Sequence, residues 1–559
     1  MLNLLIENVY AIANEHEAPK EDPLNIPTPS NCRQALHPKN KYREQWREAI
    51  RKEMDEMLSR GSIVDVTMEE VHKAGRRPFQ SKFVFKVKIE PDGSLKFKAR
   101  LVAKGFTQIK GEDFNANGIY SATPNYSSVT MLLHIAAVNN WIIIAVDIAN
   151  AYQEAKADYL MFMQLPMDYT NGIPVAVRLD GNINGTRQGA LLWANLMEEV
   201  LLKFGFKKSK IEPCLYHLYK EEKEIHVLVY VDDILITGNS QEEIDKVIKH
   251  MEANFKRLTM QTDVKKFLGI RLKITQHNGY KDIFLHQEEY IDEITKDVEL
   301  PNSKGTPLPT CVTALKVISK ENVQPMHKEV GQIRFAADRC RPDIGFAASL
   351  LARSAANADP RQIEAMTRTM GYLKDTRSLG IKLGGPDKNI RLFGISDASF
   401  ANEKDSKAQL CYCLFLSNSS GTVLFKSWKD KAVTTSTTQS EVHALFEMTK
   451  TVIWYRELLK EFKLEQILPT PLFEDNMNVV NIGNQSAKDN KSRFYINKIN
   501  LIREAINEGI ISLNYIETEN NVADIGTKSL QLYVFEFLRD RLLSGVGDSI
   551  EVLIKQMEQ

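Results

Sequence analysis

Two carboxylates inside an otherwise apolar run constrain this chain more than any other feature. Tyr230-Val231-Asp232-Asp233 lies between Val227-Leu228-Val229 and Ile234-Leu235-Ile236. Strand-forming residues on both sides ask for burial, and buried charge is costly without a counter-charge. A hairpin that turns at Asp-Asp is the plain reading, since turns favour Asp. The strongest two-residue hairpin signals contain Gly, however, and this one does not. A third carboxylate, Asp147, closes a second apolar, β-branched run, Trp141 to Val146. Three carboxylates ending buried strands are better explained as a Mg2+ site, in which two cations activate a nucleophile and stabilise a leaving group in an in-line displacement. Adjacent strand positions point to opposite faces, so Asp233 is expected to matter less than Asp232.

Periodicity places these carboxylates in a larger plan. The chain has 559 residues, 43% hydrophobic and 26% charged, a globular composition long enough for three or four domains. Residues 15–40, with Pro19, Pro23, Pro27, Pro29 and Pro38, read as a flexible leader that cannot bury a core, and folded structure is expected from about Tyr42. Trp46, Ala49, Ile50, Met54 and Met57 then recur at helical spacing. Lys82 to Lys88 alternates as a strand, Pro91-Asp92-Gly93-Ser94 turns, and Leu95 to Ala103 returns. Helical patterns cover Ala190 to Phe204 and Gln241 to Asn254; Pro301 to Pro309 is loop-like, 325–378 mostly helical, and Gly384-Gly385-Pro386 breaks the chain.

Charge adds a partner class. Lys plus Arg and Asp plus Glu number 72 each, so the global balance is silent. Locally, Lys73 to Lys110 holds eleven Lys or Arg against Glu90 and Asp92. A solvated basic face is one reading. Interleaving with Phe79, Phe83, Phe85, Phe97 and Phe106 favours a sheet that holds basic side chains toward phosphates. No apolar run reaches about 18 residues and Met1 to Ala13 has no basic start, so neither a membrane span nor a signal peptide is expected. The six cysteines are scattered without a C-x-x-C pair, which fits a reducing, intracellular setting.

A second acidic set lies beyond Asn389. Strands are expected at 391–397, 409–417, 422–428, 470–474 and 510–516, with a long helix at 437–462, an α/β or α+β layer pattern. Asp397 ends the first strand, Glu441 lies in the first turns of the helix, Asp475 ends the strand at 470–474, and Asp524 follows in Asn520-Asn521-Val522-Ala523-Asp524. Singly, Glu441 is an early-helix charge favoured by the dipole and Asp524 a loop residue.

Tyr230-Val231-Asp232-Asp233 with Val146-Asp147-Ile148-Ala149-Asn150-Ala151-Tyr152 resembles the palm of reverse transcriptases. Phe83-Val84-Phe85-Lys86-Val87-Lys88, Lys98-Ala99-Arg100-Leu101-Val102-Ala103-Lys104-Gly105-Phe106-Thr107-Gln108 and Phe267-Leu268-Gly269-Ile270 resemble segments of the Pol polyprotein of copia-type LTR retrotransposons (Pseudoviridae), the yeast Ty elements included. The later acids, in their order, resemble the metal site of RNase H, which distinguishes RNA by its 2′-hydroxyl. The resemblance covers about residues 43–530. It implies an α+β and α/β fold: a right-hand polymerase of fingers, palm and thumb, then a connection and an RNase H-like mixed-sheet domain. The corresponding divisions are a leader (1–42), fingers, palm and start of thumb (43–300), thumb and connection (301–388), RNase H (389–530) and a C-terminal tail (531–559).

The same resemblance implies the site residues. Asp147, Asp232 and Asp233 would hold metal in the polymerase, and Asp397, Glu441, Asp475 and Asp524 in the nuclease, with two Mg2+ (or Mn2+) ions at each. Lys86 or Lys88 and Arg100 would touch the triphosphate, where Arg suits bidentate contact. Tyr152 matches the aromatic that blocks a ribose 2′-hydroxyl and selects dNTPs. Gln188 matches a nucleotide- and template-positioning glutamine, although Asn184-Gly185-Thr186-Arg187-Gln188 stands where the family has Tyr-Gly-Leu-Lys-Gln. Phe267 to Ile270 would join the primer grip, an apolar strand turning at Gly being an equal reading. The segment Lys491 to Lys498 lacks the histidine many copia elements carry, and His443 reads as a helix-surface or packing residue.

Expected partners are an RNA template, DNA primer and product, RNA–DNA hybrid, dNTPs and the integrase of the same polyprotein, without a membrane. The expected setting is a cytoplasmic virus-like particle, with the nucleus as a second compartment. No protease Asp-Ser/Thr-Gly motif or integrase region is present, which reads as a processed product or the 3′ part of a larger frame. A decayed or repurposed copy that only binds nucleic acid is the alternative; retention of all seven carboxylates weighs against it. An intron-encoded reverse transcriptase fits less well, given the RNase H tail.

Overall fold

The computed structural model describes residues 28–559 apart from 90–93, 116–117, 297, 299, 302, 313–322, 401–406, 486–494, 548–549, 551, 553 and 555–559. The mixed helix-and-sheet class is as the sequence implies, and four sheets carry it among the described residues.

The first sheet orders its strands Ile63–Asp65, Ala176–Gly181, Lys156–Gln164, Phe79–Ile89 and Leu95–Ala103. Alternation sorts the last two strands into faces. Ser81, Phe83 and Phe85 are buried while Lys82, Val84, Lys86 and Lys88 are exposed. Pairing of Val84 with Arg100, Lys86 with Lys98 and Lys88 with Lys96 gathers the basic side chains on one side, since residues directly opposite share a face. The helix Arg43–Ser59 covers the apolar side with Trp46, Ile50, Met54 and Met57, Trp46 meeting Phe85 and Phe97 edge-on at 5.3 and 4.7 Å. Leu95–Ala103 is the sheet edge, and Glu53 accepts the Leu101 amide at 3.1 Å. The Pro91-Asp92-Gly93 turn lies outside the described residues, as do residues 1–27 of the leader.

Folded structure begins before Tyr42. Asn31 caps a short helix, Cys32–Ala35, and Cys32, Ala35 and Leu36 are buried in the same core as Trp46. Proline content outweighed three small apolar residues in the sequence reading, yet these fill a gap beside a large aromatic core. The C-terminal residues are likewise more than a tail. Leu532–Ser544 is a helix whose Phe535, Leu538 and Leu542, spaced three and four apart, pack inward with Val546, Ile550 and Ile554.

The second, central sheet runs Leu258–Gln261, Ile142–Ile148, Asp233–Gly238, Lys223–Tyr230, Leu215–Lys220, Lys207–Lys208. Ile144, Val146, Val227, Val229, Ile234 and Ile236 face the helices Gly189–Phe204 and Gln241–Asn254. Ile143, Ala145, Leu228 and Leu235 face the helix Tyr126–Val138. A third sheet joins Lys266–Phe267, Ile270–Gln276, Lys281–His286 and Gly380–Gly384. The chain then turns at Gly384 and Gly385, both at positive φ (92° and 110°).

The fourth sheet has the order Leu424–Val433, Lys407–Phe415, Phe393–Ser399, Thr470–Glu474, Ile511–Tyr515. Its first three strands are antiparallel and the last two run parallel to Phe393–Ser399. The helix Thr437–Glu461 packs on it. Its core is continuous with that of the central sheet: Tyr412, Leu414, Val442 and Leu445 share one cluster with Ile135, Leu228 and Leu235. Polar ties reinforce the contact. Glu461 accepts the Lys210 amide at 2.9 Å and the Ser209 hydroxyl, and Lys463 pairs with Glu224 at 3.1 Å.

Candidate functional site

Carboxylates converge at one edge of the central sheet. Asp233 lies directly opposite Asp147 in the ladder and also pairs with Tyr230, closing a two-residue turn of Val231 and Asp232. The hairpin is therefore real despite its lack of Gly, but the turn is Val-Asp, not Asp-Asp. Val231 takes φ 56°, an uncommon conformation for a β-branched residue. Its carbonyl accepts the Trp193 indole N–H at 2.7 Å, and the Asp232 carbonyl accepts the Ile148 amide at 3.2 Å. Tertiary bonds thus hold a turn that local propensity disfavours. The expectation that Asp233 matters less, based on alternation along one strand, loses its basis. Asp232 is a turn residue, and Asp233 shares a face with Asp147.

Asp147 is exposed, and Asp232 and Asp233 are partly so. Burial, then the charges of Asp232 and Asp147, push the Asp233 carboxyl up to about 6. Among the described residues no Lys or Arg forms an ion pair with any of the three. Such uncompensated like charge suits a cation. Tyr152 stands beside this cluster on the short helix Ala151–Glu154; burial, then the Asp232 charge, raises its phenol. Gly189 lets the next helix approach, since a Cβ there would come within 3.6 Å of the Tyr152 ring.

Of the nucleotide-binding candidates, Lys86, Lys88 and Arg100 are exposed on the basic face of the hairpin. Gln188 is buried. Its amide donates to the Asp113 carbonyl at 2.8 Å and accepts from Gln108 at 3.2 Å. That side chain fixes neighbouring loops to one another and does not open onto solvent. Phe267 and Ile270 point inward around a turn of Leu268 and Gly269, both at positive φ.

The fourth sheet brings together a tighter set. Asp397, Glu441 and Asp475 each place a carboxylate oxygen within 4.8 Å of the others, the one such group among the described residues. Asp397 sits on the central strand, Glu441 follows the Ser436 cap of the long helix, and Asp475 follows Thr470–Glu474. Asp524 lies in the turn Val522–Gly526, its carboxyl pushed up to about 8 by burial and then by Asp397. Burial is also the first cause raising Asp397 and Glu441. One buried Glu441 oxygen, Oε2, has no hydrogen-bond partner. An orphaned carboxylate oxygen within a cluster of acids is the chemistry of a divalent-cation site.

Three residues here escaped the sequence reading. Glu474 is buried, receives the Ser396 hydroxyl at 2.8 Å, and is raised well above the usual range by burial and then Asp475. Thr527 donates to Asp397, and Lys528 lies 2.7 Å from Asp524. The spacing of Lys528, four residues after Asp524, was the available signal. His443 is a packing residue, buried, with Nδ1 2.6 Å from Asp430.

Residues 67–312 match the family described as reverse transcriptase (RNA-dependent DNA polymerase). The retrovirus-related Pol polyprotein from transposon TNT 1-94 of Nicotiana tabacum is 26% identical over 527 residues, covering 92% of this chain and 38% of that protein. That of transposon RE1 of Arabidopsis thaliana is 25% identical, covering 88% and 33%. The Ty1-DR1 Gag-Pol polyprotein of Saccharomyces cerevisiae is 24% identical, covering 90% and 29%. The chain thus spans about a third of the length of the curated relatives it matches. The solved foamy viral protease-reverse transcriptase with ds DNA overlaps 84% of this chain and 69% of its own, at 13% identity and a TM-score of 0.46, too loosely to carry over any detail. Residues 67–312 are a reverse transcriptase family domain, and the chain as a whole is a homologue of the Pol polyproteins of copia-type transposons.

Proposed function

We propose that this chain is an RNA-directed and DNA-directed DNA polymerase with RNase H activity that copies retrotransposon RNA into DNA. The observation that carries the reading is the placement of Asp147 opposite Asp233, with Asp232 in the adjoining turn, inside a reverse transcriptase family domain. Two bound Mg2+ ions, or Mn2+ in their place, would activate the attacking oxygen and neutralise charge on the phosphate at each site. Asp147, Asp232 and Asp233 would hold them in the polymerase; Asp397, Glu441, Asp475 and Asp524 would do so in the nuclease.

The remaining residues bind and orient. Lys86, Lys88 and Arg100 present positive charge to a triphosphate, the Arg as a planar fork. Tyr152 excludes a 2′-hydroxyl by occupying its space. Gln188 holds the loop before the helix Gly189–Phe204 against Gln108 and Asp113. In the nuclease, Thr527 orients Asp397. Template RNA, primer DNA, their hybrid and dNTPs are the proposed ligands and the polyprotein's integrase a proposed partner. A cytoplasmic virus-like particle is the proposed setting, with a nuclear stage. No helix among the described residues is long and apolar enough to cross a membrane.

Incubation of the purified chain with RNA template, DNA primer, dNTPs and Mg2+ tests the proposal directly. Extension products and loss of hybridised RNA are expected. No extension with any divalent metal would leave a decayed copy that binds nucleic acid only.

A further inference from the structure

Tyr152 stands on a single helical turn, Ala151–Glu154, entered through Asn150 at φ 58°. One turn has little stability of its own, and a left-handed Asn stays so only where its surroundings demand it. The position of the ring therefore depends on what grips the ends of the turn. At the entry the Ala149 amide donates to the Arg257 carbonyl at 3.1 Å. At the exit the Asn182 side chain donates to the carbonyls of Lys156 and Ala155 at 2.9 and 3.3 Å. The remaining grip comes from far away in sequence: the Arg60 guanidinium reaches Glu154 at 2.8 Å.

Arg60 caps the helix Arg43–Ser59 and also bonds Glu56 on that helix at 3.1 Å. Its carbonyl accepts from Lys256 at 2.9 Å. The side chains of Arg60 and Glu154 are only 9% and 5% exposed, so this is no solvated pair of small worth. Loss of either partner would leave a buried charge uncompensated. The backbone beside it has no slack. Ser62 accepts the amides of Asp180 and Gly181 at 3.1 Å each, and a Cβ on Gly181 would come 3.2 Å from Ser62 Cα and 3.3 Å from the Gln153 carbonyl.

We propose that Arg60, through its buried ion pair with Glu154, is a positioning residue for Tyr152 and sets how strongly the polymerase site rejects ribonucleotides. This inference rests on Tyr152 acting as the barrier to a 2′-hydroxyl. Steric exclusion is short-ranged, so a small shift of the ring admits the extra oxygen while the deoxy substrate, which never touches that limit, is affected less.

Single-nucleotide incorporation by the full chain, giving kcat and KM for a dNTP and the matching rNTP on one template-primer, tests this. Arg60→Met and Glu154→Ala should each lower the dNTP-over-rNTP ratio of kcat/KM by at least about tenfold, chiefly through a lower KM for the rNTP. Glu154→Gln, which keeps an acceptor for the guanidinium, should retain most of the selectivity. Tyr152→Val serves as the reference, and its ratio should collapse. If Tyr152→Val is permissive while the Arg60 and Glu154 variants keep the wild-type ratio, or lose both substrates equally, the positioning role is overturned and the barrier stands. If Tyr152→Val leaves the ratio unchanged, the barrier falls and the inference with it. Should Glu154→Ala fail to fold by circular dichroism, Arg60→Lys replaces it; losing the planar fork, it must fall below Glu154→Gln in selectivity, and equality between the two overturns the proposal.

Discussion

Asp147 and Asp233 face each other directly across an antiparallel ladder, with Asp232 one residue beyond in the turn. Each neutralisation, Asp147→Asn, Asp232→Asn or Asp233→Asn, should cut DNA synthesis at least about 100-fold by removing a metal ligand. Relief of like-charge repulsion should leave the melting temperature unchanged or higher. Primer extension and thermal melts in parallel check both halves; wild-type-like extension by any of the three would remove that residue from the site.

Arg100 should act on the nucleotide more than on the template. Arg100→Ala is expected to raise KM for dNTP or lower kcat by about tenfold or more while template affinity changes less, with Arg100→Lys restoring charge but not the bidentate fork. Nucleotide titrations and template binding across a salt series separate the two. A change confined to the salt slope would make Arg100 a template-phosphate contact.

The two acidic sites should fail independently. Asp397→Asn or Glu441→Gln should abolish degradation of RNA in an RNA–DNA hybrid while first-strand synthesis continues, and Asp232→Asn should do the converse. One labelled hybrid read for both activities decides this. Intact RNA cleavage by folded Asp397→Asn would leave the fourth sheet with a duplex-gripping role only.

Glu53 supplies a pH dependence outside either site. Burial raises its carboxyl from 4.5 to about 7. Because the folded-state value is the higher one, the associated stabilisation is complete below pH 4.5 and is lost as pH rises through about 7. The loss amounts to roughly 3 kcal/mol. Glu53→Gln keeps an acceptor for the Leu101 amide, so its stability advantage should grow from pH 4.5 to 7 and then level off. A pH-independent difference in melting temperature would show that Glu53 is solvated.

Much of this was legible in the residues because charge inside an apolar run, and lysines alternating with phenylalanines, can have few causes. The strand Leu95–Ala103 and the helix Gln241–Asn254 fall where periodicity puts them. Register was not legible. That Asp233 meets Asp147 depends on which strands pair, and that Val231 turns left-handed depends on Trp193, thirty-eight residues earlier. Lys528 and Glu474 were overlooked because each matters only through neighbours brought in by the parallel strands.

The core shared by the central and fourth sheets bears on how such a chain can be divided. Leu228 and Leu235 pack in the same cluster as Leu414 and Val442, and Glu461 ties the long helix to Ser209 and Lys210. A protease cut in the loop after Gly384 would sever the covalent link yet leave that apolar surface covered, so the fragments should co-elute until denaturant is added. Expressed apart, each half would instead expose a greasy flank and aggregate. The two chemistries are thus inherited as one folding unit, and gene fragments that separate them lose more than a domain.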